Sequence, residues 1–173
     1  MGIDLSSAAT GIVVLSETPT QSPVCLYESE VLINDVKGVK KQRAICVTIM
    51  TLINAWRPDK IVLEGYSLNL QNKSSIIPLV ELGGLLRFCL HLDGQTWYEV
   101  KASQVKQFAT GSGNAKKAQV MMHVLKRWGH ESKTDNTADA YTLAAIGLGS
   151  ANLLKGLTQS QYAIAMNLTG RTN

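Results

Sequence analysis

The sequence has few cysteines, and no two of them stand at short spacing. Only three occur, Cys25, Cys46 and Cys89, and each lies among apolar residues. Their odd number excludes a framework in which every cysteine is paired, and the missing CxxC spacing excludes the usual zinc sites. The pattern is typical of small core residues in a reducing compartment, so we expect a cytoplasmic protein.

Long hydrophobic runs and a secretion signal are also missing. No apolar run reaches the roughly 18–20 residues that a membrane-spanning helix needs, and no signal-peptide pattern precedes Asp4. Hydrophobic residues make up 45% and charged residues 17% of the 173 residues, which is typical of a globular domain. We therefore expect one soluble domain over residues 1–173. Its core spans about 2–149, and no pattern assigns a role to the C-terminal extension, 150–173.

Several common catalytic patterns are missing as well. The three histidines, His91, His123 and His130, share no metal-ligand spacing. The stretch "GSGN" lacks the lysine–serine/threonine pair of a phosphate-binding loop, and Ser6 and Ser7 have no histidine nearby to act as a base. These absences leave carboxylate chemistry as the strongest candidate.

The net charge is +4 and the isoelectric point is about 9.0. Basic residues cluster in runs such as "VKGVKKQR" and "LKRWGHESK", and each run taken singly is more typical of a solvated helix face. The charge is therefore compatible with a polyanionic partner but does not establish one.

Hydrophobic periodicity predicts an α/β fold. The pattern predicts three strands, joined as an antiparallel meander, in residues 2–5, "GIVVL" and "VCLYESEVL". Apolar residues then recur at helical spacing from Ile45 to Trp56, and "KIVLE" predicts a fourth strand. A long apolar helix over about 76–92, a fifth strand in "TWYEV" and further helices complete the chain. This order predicts a mixed five-stranded sheet, in which the meander leads into parallel strands and helices flank the sheet.

Two acidic residues stand at the ends of predicted buried strands. Asp4 interrupts the short first strand near its end, and Glu64 ends "KIVLE". A right-handed crossover would set these strands side by side and parallel, with both carboxylates near the centre of the sheet at the carboxyl ends of the strands. A buried charge is costly unless it is paired or binds a metal, so some other group should compensate these acids.

The stretch "TDNTADAYTLA" adds Asp135 and Asp139, which share one side of a helix at i and i+4. Facing carboxylates repel unless divalent cations lie between them, and Mg²⁺ and Mn²⁺ prefer such oxygen ligands. Two ions about 3.5–4 Å apart can activate a water and stabilise the leaving oxygen in phosphodiester cleavage. Each acid alone has a simpler interpretation. Asp4 could cap a turn, Glu64 could be a strand-end charge, Asp135 could be a helix N-cap, and Asp139 could be a favourable charge near the helix dipole. Together they favour a metal site.

With these acids in this order along the chain, the sequence resembles the RuvC group of Holliday-junction resolvases, within the RNase H-like superfold. The resemblance covers residues 2–149 in order. "GIDLSSAATGIVVL" is similar to the family's first hairpin, "KIVLEGY" to the strand that ends in its second acid, and "VELGGLLRF" to the helix that pairs its subunits. The blocks "QVKQFATGSGNAKKAQV" and "DNTADAYTLA" are the most specific, and "TGSGNAKK" is similar to the phage-encoded branch.

The resemblance implies an RNase H-like fold and a homodimeric endonuclease. Such an enzyme resolves four-way junctions in DNA recombination and repair by paired symmetric nicks. It implies two Mg²⁺ ions per site, for which Mn²⁺ can substitute, and branched DNA as the partner. A phage-encoded member would act in the cytoplasm of its bacterial host, without membrane association.

By resemblance, the metal ligands are Asp4, Glu64 and Asp139, and these are also the catalytic acids. The fourth position of the family pattern, three residues before the last aspartate, holds Asn136 here, whereas Asp135 lies one residue earlier. We expect Asp135 to be the fourth ligand and the fourth catalytic acid, and Asn136 to be a weaker oxygen donor.

The basic residues that the family places near the scissile phosphate match Lys106 and Lys117, and Lys116 less closely. Lysine binds phosphate as a point charge and positions DNA without reading its sequence, and Lys117 is expected to take part in catalysis. The family also inserts an aromatic side chain into the junction from the loop after the second acid. In that loop this chain has Tyr66 and Leu68 as candidates.

Three other functions stay open at the level of sequence. A nuclease of the same superfold that cuts RNA·DNA hybrids, rRNA precursors or a broader range of branched DNA would carry the same acids. "GIDLSSAATG" also resembles the first phosphate loop of actin-like ATPases and sugar kinases, but that fold needs a second domain for which this chain is too short. The third is a protein that binds junctions without cutting them, which would follow if Asn136 weakens the metal site.

Overall fold

A computed structural model provides the structure of the protein, and it describes residues 1–17, 22–66 and 73–171. Three strands, a helix, a strand, a helix and a fifth strand follow one another in the order that the sequence predicts, and four further helices and a sixth strand come after them in the described residues. The elements are β1 (Gly2–Asp4), β2 (Thr10–Ser16), β3 (Val24–Val31), α1 (Gly38–Trp56), β4 (Ile61–Glu64), α2 (Lys73–Leu92), β5 (Trp97–Val100), α3 (Ala102–Thr110), α4 (Lys117–Trp128), α5 (Asp135–Ser150), α6 (Gln159–Met166) and β6 (Thr169–Arg171).

These strands form one sheet in the order β3-β2-β1-β4-β5-β6. β1, β2 and β3 are antiparallel neighbours, whereas β4 runs parallel to both β1 and β5. The predicted mixed sheet of five strands, with a meander that leads into parallel strands, is therefore confirmed.

A sixth strand, which no sequence pattern predicts, comes from the extension 150–173. It pairs antiparallel with β5, and Trp97 lies opposite Arg171. The helix before it, α6, is tied to α3 by a hydrogen bond of 2.6 Å from the side chain of Gln161 to the carbonyl of Phe108. The extension thus covers the edge of β5, whose backbone groups would otherwise be unpaired on that side.

Helices cover both faces of the sheet. On one face α1 and α2 form a core with the strands, in which Ile3, Ile12 and Leu63 meet helical residues such as Ile49 and Leu86. Because successive strand residues point to opposite faces, the same strands also contribute to a second core on the other side. That second core contains the helices α3, α4, α5 and α6.

α5 crosses the sheet at the centre of the second core and is buried along most of its length. Twelve of its 16 residues are buried, and many of these are alanine or glycine. Such small side chains let the helix backbone lie close to β1 and β2. Larger side chains from the surrounding helices, such as Phe108, Val124 and Ile164, fill the space around it. Each such buried side chain contributes about 1.5–3 kcal/mol through the hydrophobic effect.

Two further expectations from the sequence can be compared with the structure: the state of the cysteines and the bounds of the long apolar helix. The three cysteines are free thiols that pack against the cores, with Cys46 buried and Cys25 and Cys89 half-buried. α2 begins at Lys73, slightly before its predicted start, and ends at Leu92. None of the helices in the described part of the chain has the length and apolarity of a bilayer span.

Candidate active site

The carboxyl ends of β1 and β4 place two acids side by side. Ile3 and Leu63 are partners in the parallel register, so the residues that follow them, Asp4 and Glu64, are neighbours at the end of the strand pair. Ile3 and Leu63 point into the core formed with α1 and α2. Side chains alternate along a strand, so Asp4 and Glu64 point to the opposite face, where α5 lies. The predicted parallel pairing of these strands is confirmed.

Two glycines bring α5 down onto this part of the sheet. A Cβ atom on Gly2 would overlap the backbone carbonyl of Ala140, and one on Gly11 would overlap that of Asn136. Gly11 is also the antiparallel partner of Asp4. Helix backbone therefore rests on strand backbone at both positions, an approach that a side chain would prevent. As a result, the first turns of α5 lie beside Asp4.

Asp139 lies on the buried side of α5 and is only 7% exposed. Burial raises the pKa of this carboxyl to about 6, although the charges of Lys117 and Lys106 oppose the rise. Its Oδ1 atom is buried without a hydrogen-bond partner among the described residues. A buried carboxylate oxygen without a donor is costly, and a cation would satisfy it.

The three acids alter one another's protonation. Burial raises the pKa of Glu64 to about 7, and the charge of Asp139 adds to the rise. The pKa of Asp4 is raised well above its usual value, first by burial and then by the charges of Glu64 and Asp139. Such mutual effects require carboxylates that lie close together in a poorly solvated site. The structure thus brings Asp4, Glu64 and Asp139 together at the carboxyl ends of the central strands β1 and β4.

Asp135 is turned toward Lys117, the first residue of α4. The Lys117 Nζ atom lies 2.7 Å from Oδ2 of Asp135 and donates to Oδ1 of Asn136 at 3.4 Å. The hydrogen bond from Lys117 lowers the pKa of Asp135. The lysine charge also favours the ionised forms of Asp4 and Glu64. Lys117 is therefore part of the charge distribution of the site.

Strand β3 orients the side chain of Asn136. The Asn136 Nδ2 atom donates to Oε1 of Glu30 at 2.8 Å, and the hydroxyl of Thr134 donates to the same oxygen at 3.0 Å. Because a carboxylate only accepts hydrogen bonds, Glu30 fixes the amide nitrogen on its own side and turns the amide oxygen toward Lys117. Glu28, two residues earlier, accepts a backbone N–H from the segment before α5 at 2.9 Å. β3 thereby holds the start of α5.

The other two lysines differ in their placement. Lys106 is half-buried in α3, and its charge lowers the pKa of both Glu64 and Asp139. Lys116 is exposed at the residue before α4. Lys106 therefore acts on the acids directly, as Lys117 does, whereas Lys116 is a surface charge next to the site.

Of the two candidates in the loop after β4, the structure describes only Tyr66. Tyr66 is two residues beyond Glu64 and is 40% exposed. Its ring lies beneath the guanidinium of Arg87 on α2, 4.3 Å from centroid to Cζ. Leu68 lies outside the described residues.

The chemistry of these acids fits a hard divalent cation. All are oxygen donors, positive charge would relieve their mutual repulsion, and Oδ1 of Asp139 lacks a donor. In the ranges that the structure describes, no group of three His, Cys, Asp or Glu side chains is placed to hold an ion as it stands. Asp135 instead contacts Lys117. To reach an ion beside the other acids, the Asp135 carboxylate would have to turn away from Lys117.

Sequence reasoning missed three residues that shape the site. Gly2 and Gly11 allow the close approach of α5, and Glu30 orients Asn136. The alternating acids of "ESE" in β3 were a usable signal for Glu30, since residues two apart share a strand face. The two glycines had no signal of this kind, because glycine is common at strand ends and turns.

Known proteins resemble this chain in both sequence and fold. The family model of the crossover junction endodeoxyribonuclease RuvC matches residues 1–147. The crossover junction endodeoxyribonuclease RuvC of Brevibacillus brevis is 28% identical over 146 residues, which cover 83% of this chain and 87% of that protein.

Two solved structures have the same fold. The structure of Thermus thermophilus RuvC has a TM-score of 0.74 at 19% identity, and 98% of each chain is covered. Thermus thermophilus RuvC in complex with its Holliday junction substrate has a TM-score of 0.69 at 18% identity, with 98% of this chain and 97% of that chain covered. These likenesses show that the fold is the RNase H-like fold of RuvC. Since the family match includes most of the chain and all four acids, the protein belongs to the crossover junction endodeoxyribonuclease RuvC family.

Proposed function

We propose that this protein is a divalent-metal-dependent endonuclease that resolves four-way DNA junctions by paired, symmetric nicks in the cytoplasm of a bacterium. The observation that carries the proposal is the convergence of Asp4, Glu64 and Asp139 in one poorly solvated site beside Lys117. Membership of the family over residues 1–147 supports a junction as the substrate. A solved structure with the same fold holds a Holliday junction substrate.

Asp4, Glu64 and Asp139 are the proposed metal ligands. They would hold two Mg²⁺ ions, or Mn²⁺ in their place. When bound, the ions would supply activation of the attacking water and stabilisation of the leaving oxygen. The contribution of the chain is to hold the acids together against their repulsion. The packing of α5 on Gly2 and Gly11 keeps Asp139 beside Asp4.

The start of α5 is proposed to supply the fourth ligand. Asp135 is the first candidate, because it is the remaining carboxylate and its pKa is lowered, so it is ionised at neutral pH. Asn136 offers a neutral oxygen whose direction Glu30 already determines. If Asp135 turns to an ion, Lys117 is released to bind the substrate.

Lys106 and Lys117 are proposed to hold the phosphate that is cleaved. Both lie close enough to the acids for their charges to shift carboxylate pKa values. As point charges they would bind phosphate oxygens without discriminating between bases. We propose further DNA contacts for Lys116 and for Leu68.

A homodimer suits a four-way junction, because a twofold enzyme can nick two symmetric strands. One face of α2 is the candidate interface. Ile77 and Phe88 on this face are 61% and 58% exposed, and Val80 is 40% exposed. Gly84 lies between them, and a Cβ atom there would have no described atom within 4 Å. A second α2 helix could therefore approach closely at this glycine.

The proposal is tested by comparing four substrates, a four-way junction, a flap, linear duplex DNA and an RNA·DNA hybrid, each with Mg²⁺ and with EDTA. We expect paired nicks at symmetric positions in the junction, which are lost with EDTA. Equal cutting of the flap would extend the substrate class to branched DNA in general. Cutting of the hybrid alone would contradict the proposed substrate, and tight junction binding without any cutting would identify a binding protein.

A further inference from the structure

Arg87, near the middle of α2, connects three elements of the fold. Its Nε atom lies 2.8 Å from Oε1 of Glu99 in β5, and its Nη1 atom donates to the hydroxyl of Tyr66 at 3.0 Å. The Trp97 indole N–H donates to the same Glu99 oxygen at 3.3 Å. The side chains of Arg87 and Glu99 are only 17% and 21% exposed, so this ion pair is better shielded from water than a surface pair.

The Tyr66 ring is held against the backbone of α2. Its hydroxyl donates to the carbonyl of Val80 at 3.1 Å, while Arg87 donates to that hydroxyl and covers the ring. A Cβ atom on Gly83 would overlap the Tyr66 hydroxyl and would lie 2.7 Å from Nη1 of Arg87. The ring therefore occupies a place that exists because residue 83 has no side chain.

This network adjoins the candidate metal ligands. Tyr66 is two residues beyond Glu64, and the N–H of the intervening Gly65 donates to the carbonyl of Val100 at 2.8 Å. The chain that leaves β4 is thus fixed by β5 on one side and by α2 on the other. A cavity of about 50 Å³ beside it is lined by Leu5, Glu64, Gly65, Tyr66, Leu79 and Arg87.

We propose that Tyr66, held by Arg87 and Glu99, is a positioning residue that sets the direction of the Glu64 carboxylate, and that Tyr66 does not contact the DNA. The inference rests on the proposed function, in which Glu64 is a metal ligand. The paired residues of β4 end at Glu64, and beyond it the chain is held by one backbone hydrogen bond, from Gly65 to Val100, and by the contacts of Tyr66. The neighbouring carboxylate of Asp139 repels Glu64. Anchoring of the chain at Tyr66 would limit the backbone movement by which Glu64 could turn away.

The test compares Tyr66→Phe, which removes one hydroxyl, with Arg87→Gln, which removes the donor that holds it. We expect each variant to weaken Mn²⁺ binding to the DNA-free protein and to lower kcat for junction cleavage, both by about 10-fold. The junction Kd in EDTA and the KM for the junction should stay at their wild-type values. Because both changes act through one contact, the double variant should lose no more Mn²⁺ affinity than the single variant that has the larger loss.

Two further variants serve as controls. Arg87→Lys keeps the charge but cannot donate to Glu99 and Tyr66 at once through a planar group, so it should not restore Mn²⁺ affinity. Tyr162→Phe removes a hydroxyl from an exposed tyrosine of α6 and should behave as wild type. Thermal melts followed by circular dichroism identify variants that fail to fold. If Arg87→Gln fails, Tyr66→Phe alone decides, since it changes a single atom.

Wild-type Mn²⁺ affinity and kcat in Tyr66→Phe would overturn the inference. If Tyr66→Ala then weakened junction binding, Tyr66 would be a DNA contact. A wild-type protein that binds Mn²⁺ but cuts no junction would contradict the proposed function, and the Mn²⁺ affinities would still decide the role of Tyr66. A wild-type protein that binds no Mn²⁺ would overturn both.

Discussion

Lys117 donates to Asp135 between the first turns of α4 and α5, with Nζ 2.7 Å from Oδ2. The two side chains are 57% and 38% exposed. An ion pair this accessible to water contributes only about 0–1 kcal/mol to stability. We infer that the pair matters for the distribution of charge beside the acids, and that it opens readily when a cation or a phosphate competes.

Replacement of Lys117 by methionine should lower kcat for junction cleavage by about 100-fold, because a donor to the charge that develops on the phosphate is lost. Thermal stability should change little, since the pair is exposed. The matched control is Lys126→Met, which removes the same charge from an exposed residue near the other end of α4 and should keep kcat near the wild-type value. Equal losses in both variants would show that total charge matters and the position of Lys117 does not.

Asp4→Asn should abolish cleavage and leave junction binding in EDTA unchanged. The loss should exceed the roughly 10–100-fold that is typical when residues around metal ligands are changed. Without metal the Tm should rise, because the buried Asp4 carboxylate is repelled by Glu64 and Asp139. A nicking assay and thermal melts test both statements, with Asp35→Asn at an exposed position as the control. A fully active Asp4→Asn protein would rule out its role as a ligand.

The metal-free protein should become less stable as the pH rises from about 5 to about 8. The pKa is raised to about 7 at Glu64 and to about 6 at Asp139, above the usual values of 4.5 and 3.8. The folded state therefore holds protons that the unfolded state has already released. This contribution is fully present below the unfolded-state pKa values and is lost as the pH passes through the folded-state values.

Thermal melts in EDTA across this pH range measure the effect. A loss of about 1 kcal/mol lowers the Tm of a domain of this size by about 2–4 °C. Mg²⁺ should reverse the trend, because ion binding displaces the protons and strengthens with pH. In Glu64→Gln/Asp139→Asn the slope in EDTA should flatten. An unchanged slope in that variant would assign the pH dependence to other groups.

Glu30→Gln should weaken Mn²⁺ binding by up to about 10-fold, because a glutamine can donate as well as accept and no longer fixes the amide of Asn136. Calorimetric titration of the DNA-free protein measures this. Glu17→Gln, at an exposed position just after β2, is the control and should bind Mn²⁺ as wild type does. Unchanged affinity in Glu30→Gln would indicate that the Asn136 oxygen plays no part in ion binding.

Phe88→Glu should convert the proposed dimer to a monomer, since it places a charge in the exposed apolar face of α2. Sedimentation gives the oligomeric state, and paired nicking of a junction should fall with the loss of the dimer. Tyr162→Glu introduces the same charge at a residue of α6 with similar exposure, 50% against 58%, and should leave the oligomeric state unchanged. A Phe88→Glu dimer would place the interface elsewhere.

Much of the fold could be predicted from short-range patterns. Five strands were recognisable because alternation and apolar runs involve residues only a few positions apart. β6 was not, because it is three residues long and forms only through pairing with β5. The same limit applies to the start of α2, where the first residues lie before the apolar stretch that reveals the helix.

For the candidate site, sequence order and spacing were enough to single out the acids: Asp4 and Glu64 at strand ends, and Asp135 and Asp139 one helical turn apart. Packing between distant segments settled how these residues meet. Because Gly2 and Gly11 have no side chain, α5 lies so close to the sheet that the charge of Asp139 acts on Asp4.

The directions of the polar side chains also depend on tertiary contacts. Glu30 turns the Asn136 amide, and Lys117 rather than a second acid faces Asp135. The physical reason is the range of each effect. Periodicity depends on neighbours along the chain, whereas the distance between two backbones and the direction of a hydrogen bond depend on residues that only folding brings into contact.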